Sequence, residues 1–204
     1  MNTRRTVLSL LLAEEERDGF ANLLLSDGVI ARAGEDSALL TALFYGTVER
    51  RLTLDYAIGT LAAREPSSLT PHTRNLLRLG LYQIYFTRIP AHAAVDETVS
   101  LGEGRGEWAL ANAVLRRAVN TPLPLPPEGR RARHMSVKHA FPLSTVRYFI
   151  SLYGEEETEA LLSAFNRVAP LTVTVNLSKT TPEALLSLWE KNGIRADQEP
   201  PPPS

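Results

Sequence analysis

The stretch from residue 76 to residue 120 constrains the fold more than any other part of the chain. Its apolar residues recur at helical spacing in three segments, at 76–86, 92–101 and 108–119. An Arg-Ile-Pro turn ends the first segment, and three closely spaced glycines separate the second from the third. Three amphipathic helices with short connections bury their apolar faces against one another, so this stretch predicts the middle of a helical bundle.

The part of the chain before this stretch also follows the helical period. Apolar residues indicate a helix at 3–17, a second at about 19–34 and a long third helix at 38–61. A Glu-Pro-Ser-Ser segment at 65–68 separates the third helix from the central stretch. Because short connections favour neighbouring, largely antiparallel helices, residues 1–120 are predicted to form one compact unit of roughly six or seven helices.

The chain changes in character after residue 120. Four of the seven residues at 121–127 are prolines, which predicts a stiff linker that continues through a basic run to residue 140. A helix is then predicted to begin at Phe141 and Pro142. Gly154 separates this helix from a second amphipathic helix at 155–165.

The C-terminal part contains a segment with the pattern of a β-strand. Residues 171–176 alternate β-branched side chains at period two, and a further helix is predicted between Thr181 and Gly193. One strand cannot pair with itself, so residues 141–204 are expected to be the start of a domain rather than a whole one. The predicted fold class is therefore mostly α, with a helical bundle followed by a small, incomplete α/β segment.

Composition excludes several functional classes. The 204 residues are 44% hydrophobic and 22% charged, which is typical of a globular protein. No apolar run approaches the roughly 18 residues of a membrane helix, so we expect a soluble, cytoplasmic protein with no membrane partner. The four histidines have no metal-ligand spacing, and the glycines at 102–106 do not follow a strand, so neither a metal site nor a nucleotide-binding loop is predicted.

Two groups of motifs carry a family resemblance. The first group is LLRLGLYQIYFTRIPAHAAVDETVSLG at 76–102 and ANAVLRR at 111–117. These motifs resemble the NusB-like RNA-binding domain at the front of bacterial ribosomal RNA cytosine-C5 methyltransferases of the RsmB (Sun/Fmu) type, although Asp96 replaces the family's common asparagine. The second, LSAFNRVAPLTVTVNLSKTTPEALLSLWEKNGI at 162–194, is similar to the RRM-like lead-in that follows this domain in the same family.

The resemblance implies an organisation and a function. It implies a NusB-like RNA-binding domain at 1–120, a proline-rich and basic linker at 121–140, and an RRM-like lead-in at 141–204. The expected role is to position 16S ribosomal RNA for an S-adenosylmethionine-dependent methyltransferase whose catalytic domain lies outside this chain. The alternative is a stand-alone NusB-like transcription antitermination or ribosome-assembly factor that acts through both RNA and protein partners.

The lack of cysteine bears on this resemblance. Enzymes that methylate carbon 5 of cytosine attack the ring with a cysteine thiolate. The chain contains no cysteine, so we expect that it does not catalyse methyl transfer itself and that it carries no cofactor of its own.

The candidate RNA-binding residues follow from the distribution of charge. Residues 116–147 contain seven basic residues and one acidic residue, a pattern that suits phosphate. Two arginines in the first turn of the first helix oppose its dipole, which suggests a role beyond helix stability. The candidates are Arg4, Arg5, Arg78, Asn112, Arg116, Arg117, Arg130, Arg131, Arg133 and Lys138.

Asn112 has two interpretations from sequence. It could hydrogen-bond a base edge or a sugar while Arg116 and Arg117 contact phosphates. It could instead satisfy backbone groups at the end of its helix, and we favour this structural interpretation for Asn112. For the two arginines we favour RNA contact.

Overall fold

A computed structural model describes residues 2–16, 21–25, 27–167 and 172–196. The described residues are mostly helical, which confirms the predicted class, and they fall into two compact units at Met1–Asn166 and Arg167–Ser204. The α-helices in the described residues are α1 (Thr3–Glu16), α2 (Ala21–Leu24), α3 (Asp27–Ala33), α4 (Ser37–Glu49), α5 (Arg51–Ala62), α6 (Pro71–Phe86), α7 (Ala91–Val99), α8 (Gly104–Val119), α9 (Arg131–His139), α10 (Leu143–Phe165) and α11 (Pro182–Lys191). None of them is long and apolar enough to cross a membrane.

Helix α6 lies at the centre of the first unit, as the central stretch predicts. It contacts α1, α4, α5, α7 and α8, and four of its leucines are fully buried. Thr70 caps its first turn, and Pro71 occupies the first helical position, where the missing N–H costs nothing. A Cβ at Gly80 would lie 2.7 Å from the side chain of Leu115, so glycine is what allows α8 to approach α6 this closely.

The predicted long helix at 38–61 is two helices. The chain leaves helical geometry at Arg50, whose φ and ψ are −93° and 11°. The break lets α4 pack against α1, α3 and α6 while α5 packs against α6, α8 and α9. Apolar periodicity continues across the break, and for this reason the sequence pattern does not reveal it. The predicted start of the preceding helix near residue 19 lies outside the described residues.

The stretch that the sequence predicts as a linker contains helix α9. The segment at 122–127 is irregular, as its prolines require, but the basic run after it is helical. The hydroxyl of Thr53 in α5 donates a hydrogen bond to the carbonyl of Val137 in α9. The basic run therefore packs on the bundle, and the first compact unit continues to Asn166.

Helices α9 and α10 share a small core of their own. Met135, Val146 and Leu162 are buried together, and Gly154 bends α10 between the last two, as predicted. Its φ of 79° lies in the left-handed region that favours glycine. Thr158 is fully buried in α10, and its hydroxyl has no hydrogen-bond partner among the described residues.

The described residues of the second unit do not form the predicted strand. Residues 172–176 have no regular structure, and the start of the predicted strand at residue 171 lies outside the described residues. Helix α11 forms where predicted, with Thr181 capping its first turn. Alternating β-branched residues favour a strand, but the pattern alone is not sufficient. A strand also needs a neighbouring strand to accept and donate its backbone hydrogen bonds. No such neighbour exists among the described residues.

Candidate nucleic-acid interface

Two exposed arginines lie in the last turn of α8, and we call Arg116 and Arg117 the α8 patch. Positive charge at this end of a helix interacts favourably with the helix dipole. Arg116 Nε donates to the side chain of Asn112 at 2.8 Å, and Arg117 Nη1 donates to the carbonyl of Leu61 at 3.1 Å. Each guanidinium carries five N–H donors, so most donors of both arginines stay available for phosphate.

Asn112 positions an arginine, which neither interpretation of the sequence anticipates. Its Oδ1 accepts the hydrogen bond from Arg116 one turn further along α8. The backbone group at the helix end is satisfied by Asn120 instead, whose amide donates to the carbonyl of Arg116 at 3.1 Å. An asparagine at the end of a predicted helix is the sequence signal that could have identified this second role.

A pocket of about 310 Å³ lies between α7 and α8, and one member of the α8 patch lines it. Its lining residues are Ala91, His92, Val95, Asp96, Arg116, Val119 and Asn120. The sequence analysis assigns no pocket here. The signal was present as two pairs at spacing four, His92 with Asp96 and Arg116 with Asn120, which place each pair on one helix face.

Three arginines at the start of α9, Arg130, Arg131 and Arg133, form a second exposed group that we call the α9 patch. Arg131 Nε lies 3.5 Å from the carboxylate of Glu155, in a pair with both side chains at least half exposed. Such a pair contributes little to stability and leaves the arginine accessible. Arg130 and Arg133 have no ion-pair partner within 4.0 Å in the part of the chain that the structure describes.

Lys138 differs from the α9 patch because it is engaged with a carboxylate. Its ammonium donates to Glu159 at 2.6 Å, and His139 contacts the same oxygen. Burial raises the pKa of Glu159, but the hydrogen bonds from Lys138 and His139 outweigh burial and hold that pKa below its usual value. Lys138 therefore helps to join α9 to α10, although its side chain is 44% exposed.

The two arginines of α1 have different environments. Arg4 is mostly buried and its Nε donates to Gln83 Oε1 of α6 at 2.7 Å, while its Nη1 lies 3.9 Å from Glu97. Arg5 is exposed to solvent. Arg4 thus connects two helices, whereas Arg5 keeps its charge on the surface.

Arg78 does not belong to an RNA-binding surface, and its prediction is wrong. Only 6% of its side chain is exposed, and its Nε and Nη2 donate to the two carboxylate oxygens of Asp55 at 2.7 and 2.8 Å. Its Nη1 donates to Asn75 and to Glu15. Four of its five N–H donors are therefore engaged inside the bundle, which leaves little of this guanidinium for a ligand.

Glu15 is the centre of the group that holds Arg78. Arg74 and Asn75 also donate to its carboxylate, and we call Glu15, Asp55, Arg74, Asn75 and Arg78 the carboxylate network. Burial raises the pKa of Glu15, but the hydrogen bonds from Arg74 and Asn75 outweigh burial and hold that pKa below its ordinary value. The network joins α1, α5 and α6. In the described residues, no cluster of His, Cys, Asp or Glu suits a metal ion.

Comparisons with protein families match the chain in two parts. The profile of the NusB family matches residues 1–120. A second profile, described as Methyltr_RsmF/B-like, ferredoxin-like domain, matches residues 141–204.

Curated relatives carry the names of methyltransferases. The probable ribosomal RNA small subunit methyltransferase B of Bacillus subtilis is 28% identical over 97% of this chain and 45% of its own length. The ribosomal RNA small subunit methyltransferase B of Pseudomonas putida is 32% identical over 79% of this chain and 37% of its own. A putative methyltransferase of Mycobacterium tuberculosis is 45% identical over 47% of this chain and 21% of its own. The chain therefore spans less than half the length of these relatives.

A solved structure shares the fold. The crystal structure of PH0851 matches 97% of this chain and 46% of its own length, with a TM-score of 0.65 at 15% sequence identity. At 15% identity this match supports a shared fold and nothing about function.

Proposed function

The chain belongs to the NusB family, and on this premise we propose that it binds ribosomal RNA as the N-terminal region of a small-subunit ribosomal RNA methyltransferase. The membership confirms the resemblance of the motifs at 76–102 and 111–117. The observation that carries the proposal is the alignment with the B. subtilis methyltransferase, which covers 97% of this chain.

We assign methyl transfer to the part of the relatives that this chain does not span. That part makes up more than half of the B. subtilis protein. The chain has no cysteine to attack cytosine, and S-adenosylmethionine would be bound by the same outside region. The chain's own role is to bind and orient RNA.

The ferredoxin-like match at 141–204 favours this function over a stand-alone transcription or ribosome-assembly factor. A stand-alone NusB-like factor has no need of a second domain of a type that belongs to methyltransferases. The same match supports the RRM-like lead-in that the sequence predicts.

The proposed RNA contacts are the α8 patch, the α9 patch and Arg5. All of these arginines are exposed, and their guanidinium groups retain free donors. Contacts of this kind with phosphate supply affinity and orientation but carry no sequence information. Arg4 and Lys138 contribute less because each already contacts a neighbouring helix.

A mobility-shift titration with fragments of 16S ribosomal RNA tests the proposal. We expect Arg116→Glu combined with Arg117→Glu to weaken binding at least tenfold without unfolding the protein, because two attractive contacts become repulsive. The matched control is Arg32→Glu combined with Arg105→Glu, which changes the net charge equally. Both control residues are exposed, and Arg105 lies about 18 Å from Arg117 along α8.

Two results would count against the proposal. Absence of any binding by the unaltered chain at low salt contradicts RNA binding itself. Equal weakening by the two double variants contradicts the α8 patch as the contact surface, since overall charge alone would then account for the effect.

A further inference from the structure

The pocket between α7 and α8 is lined by one acidic and one basic residue that do not form an ion pair. Asp96 and Arg116 both line it, and no ion pair within 4.0 Å joins their side chains. Asp96 is exposed, and its carboxylate has no hydrogen-bond partner among the described residues. The pocket thus offers a pure acceptor and a pure donor to one ligand.

Part of the remaining lining of the pocket is apolar. Val95 and Val119 contribute aliphatic side chains, and Val119 is 42% exposed although it is apolar. At about 310 Å³ the pocket lies at the small end of ligand sites, which span roughly 300–1,000 Å³. A single planar group fits this size and surface better than a paired helix of RNA.

Arg116 is held in place for such a ligand. Its Nε is occupied by Asn112 at 2.8 Å, and Asn112 is half-buried in the packed part of α8. This hydrogen bond limits the rotation of the guanidinium and leaves its two terminal nitrogens to donate. A positioned guanidinium recognises two neighbouring acceptors in a bidentate manner.

We propose that this pocket binds one unpaired guanine base of the RNA. Guanine places two donors, N1–H and the N2 amino group, beside two acceptors, O6 and N7. The donors suit the carboxylate of Asp96, and the acceptors suit Arg116. Adenine, cytosine and uracil each lack either the paired donors or the paired acceptors. The inference rests on the proposed RNA-binding function and adds a base preference to it.

The proposal is tested with labelled ten-nucleotide uridine strands that carry one central guanosine, adenosine, cytidine or inosine. Fluorescence anisotropy at low salt measures the affinity of the full chain for each strand. We expect the guanosine strand to bind roughly tenfold more tightly than the adenosine and cytidine strands, which is the discrimination that a bidentate contact provides. Inosine lacks the N2 amino group and should lose part of that preference.

Two variants assign the preference to a residue. Asp96→Asn removes one negative charge and the acceptor for the guanine donors, so it should raise affinity slightly for the adenosine and cytidine strands and abolish the difference between guanosine and inosine. Glu97→Gln is the matched control, because Glu97 is the adjacent exposed carboxylate and does not line the pocket. It should raise affinity to the same degree and keep the preference for guanosine.

The outcomes separate this inference from the proposed function. Equal affinity for all central nucleotides, or a difference between guanosine and inosine that survives in Asp96→Asn, overturns the guanine pocket. If the uridine strands fail to bind while fragments of 16S ribosomal RNA bind, the pocket inference is wrong and the RNA-binding proposal stands. If neither kind of RNA binds, the proposed function fails with it.

Discussion

Arginines on α6 and on α8 have opposite environments, although both lie on polar faces of amphipathic helices. Arg78 of α6 is buried in the carboxylate network, where Asp55 and Glu15 accept its hydrogen bonds. Arg116 and Arg117 of α8 are exposed and contact only an amide and a backbone carbonyl. The difference comes from the neighbouring helices, because α1 and α5 supply carboxylates to α6, while the partners of the α8 patch carry no charge.

The comparison separates arginines that hold the bundle together from arginines that are available to a ligand. A guanidinium between buried carboxylates contributes to the free energy of folding, and its removal leaves negative charge uncompensated. An exposed guanidinium with a neutral partner contributes little to stability and keeps its charge for phosphate. The predictions below test this separation.

The largest expected effect is the loss of stability in Arg78→Ala. We expect the free energy of unfolding to fall by about 3 kcal/mol, because Asp55 and Glu15 lose the cation between them. Urea denaturation followed by circular dichroism measures this change. Arg116→Ala is the control on the other side of the comparison, and it should change stability by less than about 0.5 kcal/mol. Equal effects of the two substitutions would remove the distinction.

The next effect is a pH dependence that originates from Glu15. Its pKa is lowered in the folded state, so its contribution to stability is present above the ordinary value of 4.5 and is lost as pH falls through the folded pKa. We expect Glu15→Gln to lower stability by about 2 kcal/mol at neutral pH. The gap between variant and unaltered protein should close in denaturation curves recorded below pH 4.5. A gap that is constant with pH would contradict the charged state of the network.

The smallest effect on stability is expected in the α9 patch. The pair between Arg131 and Glu155 is exposed, so Arg131→Ala should change the free energy of unfolding by less than about 0.5 kcal/mol. The same variant should still weaken binding of 16S ribosomal RNA, because it removes one cation from a proposed contact surface. A stability loss of the size expected for Arg78→Ala would show that Arg131 is structural.

The helices of the bundle could be predicted from sequence because their signals are local. The period of the apolar residues located α6, α7 and α8, and Gly154 marked the bend in α10. The break at Arg50 could not be predicted, since it leaves that period intact. The strand at 171–176 failed for the opposite reason, because a local pattern was present but residues 172–176 have no described partner strand.

The candidate site shows the same limit. The basic character of α6 was visible in sequence, but Glu15 lies 63 residues from Arg78, and no local pattern indicates that the two meet. Exposure of the α8 patch could be predicted because it depends on the helix period and on position in the last turn. The role of Asn112 in positioning Arg116 required the geometry.

The salt dependence of RNA binding tests the central claim most directly. The logarithm of the affinity of the unaltered chain for 16S ribosomal RNA fragments should fall linearly with the logarithm of salt concentration. In Arg116→Ala combined with Arg117→Ala the slope should become shallower by at least roughly 0.7, the value for one lost phosphate contact. An unchanged slope in this double variant would contradict the account, since it would mean that the exposed arginines of α8 do not contact phosphate.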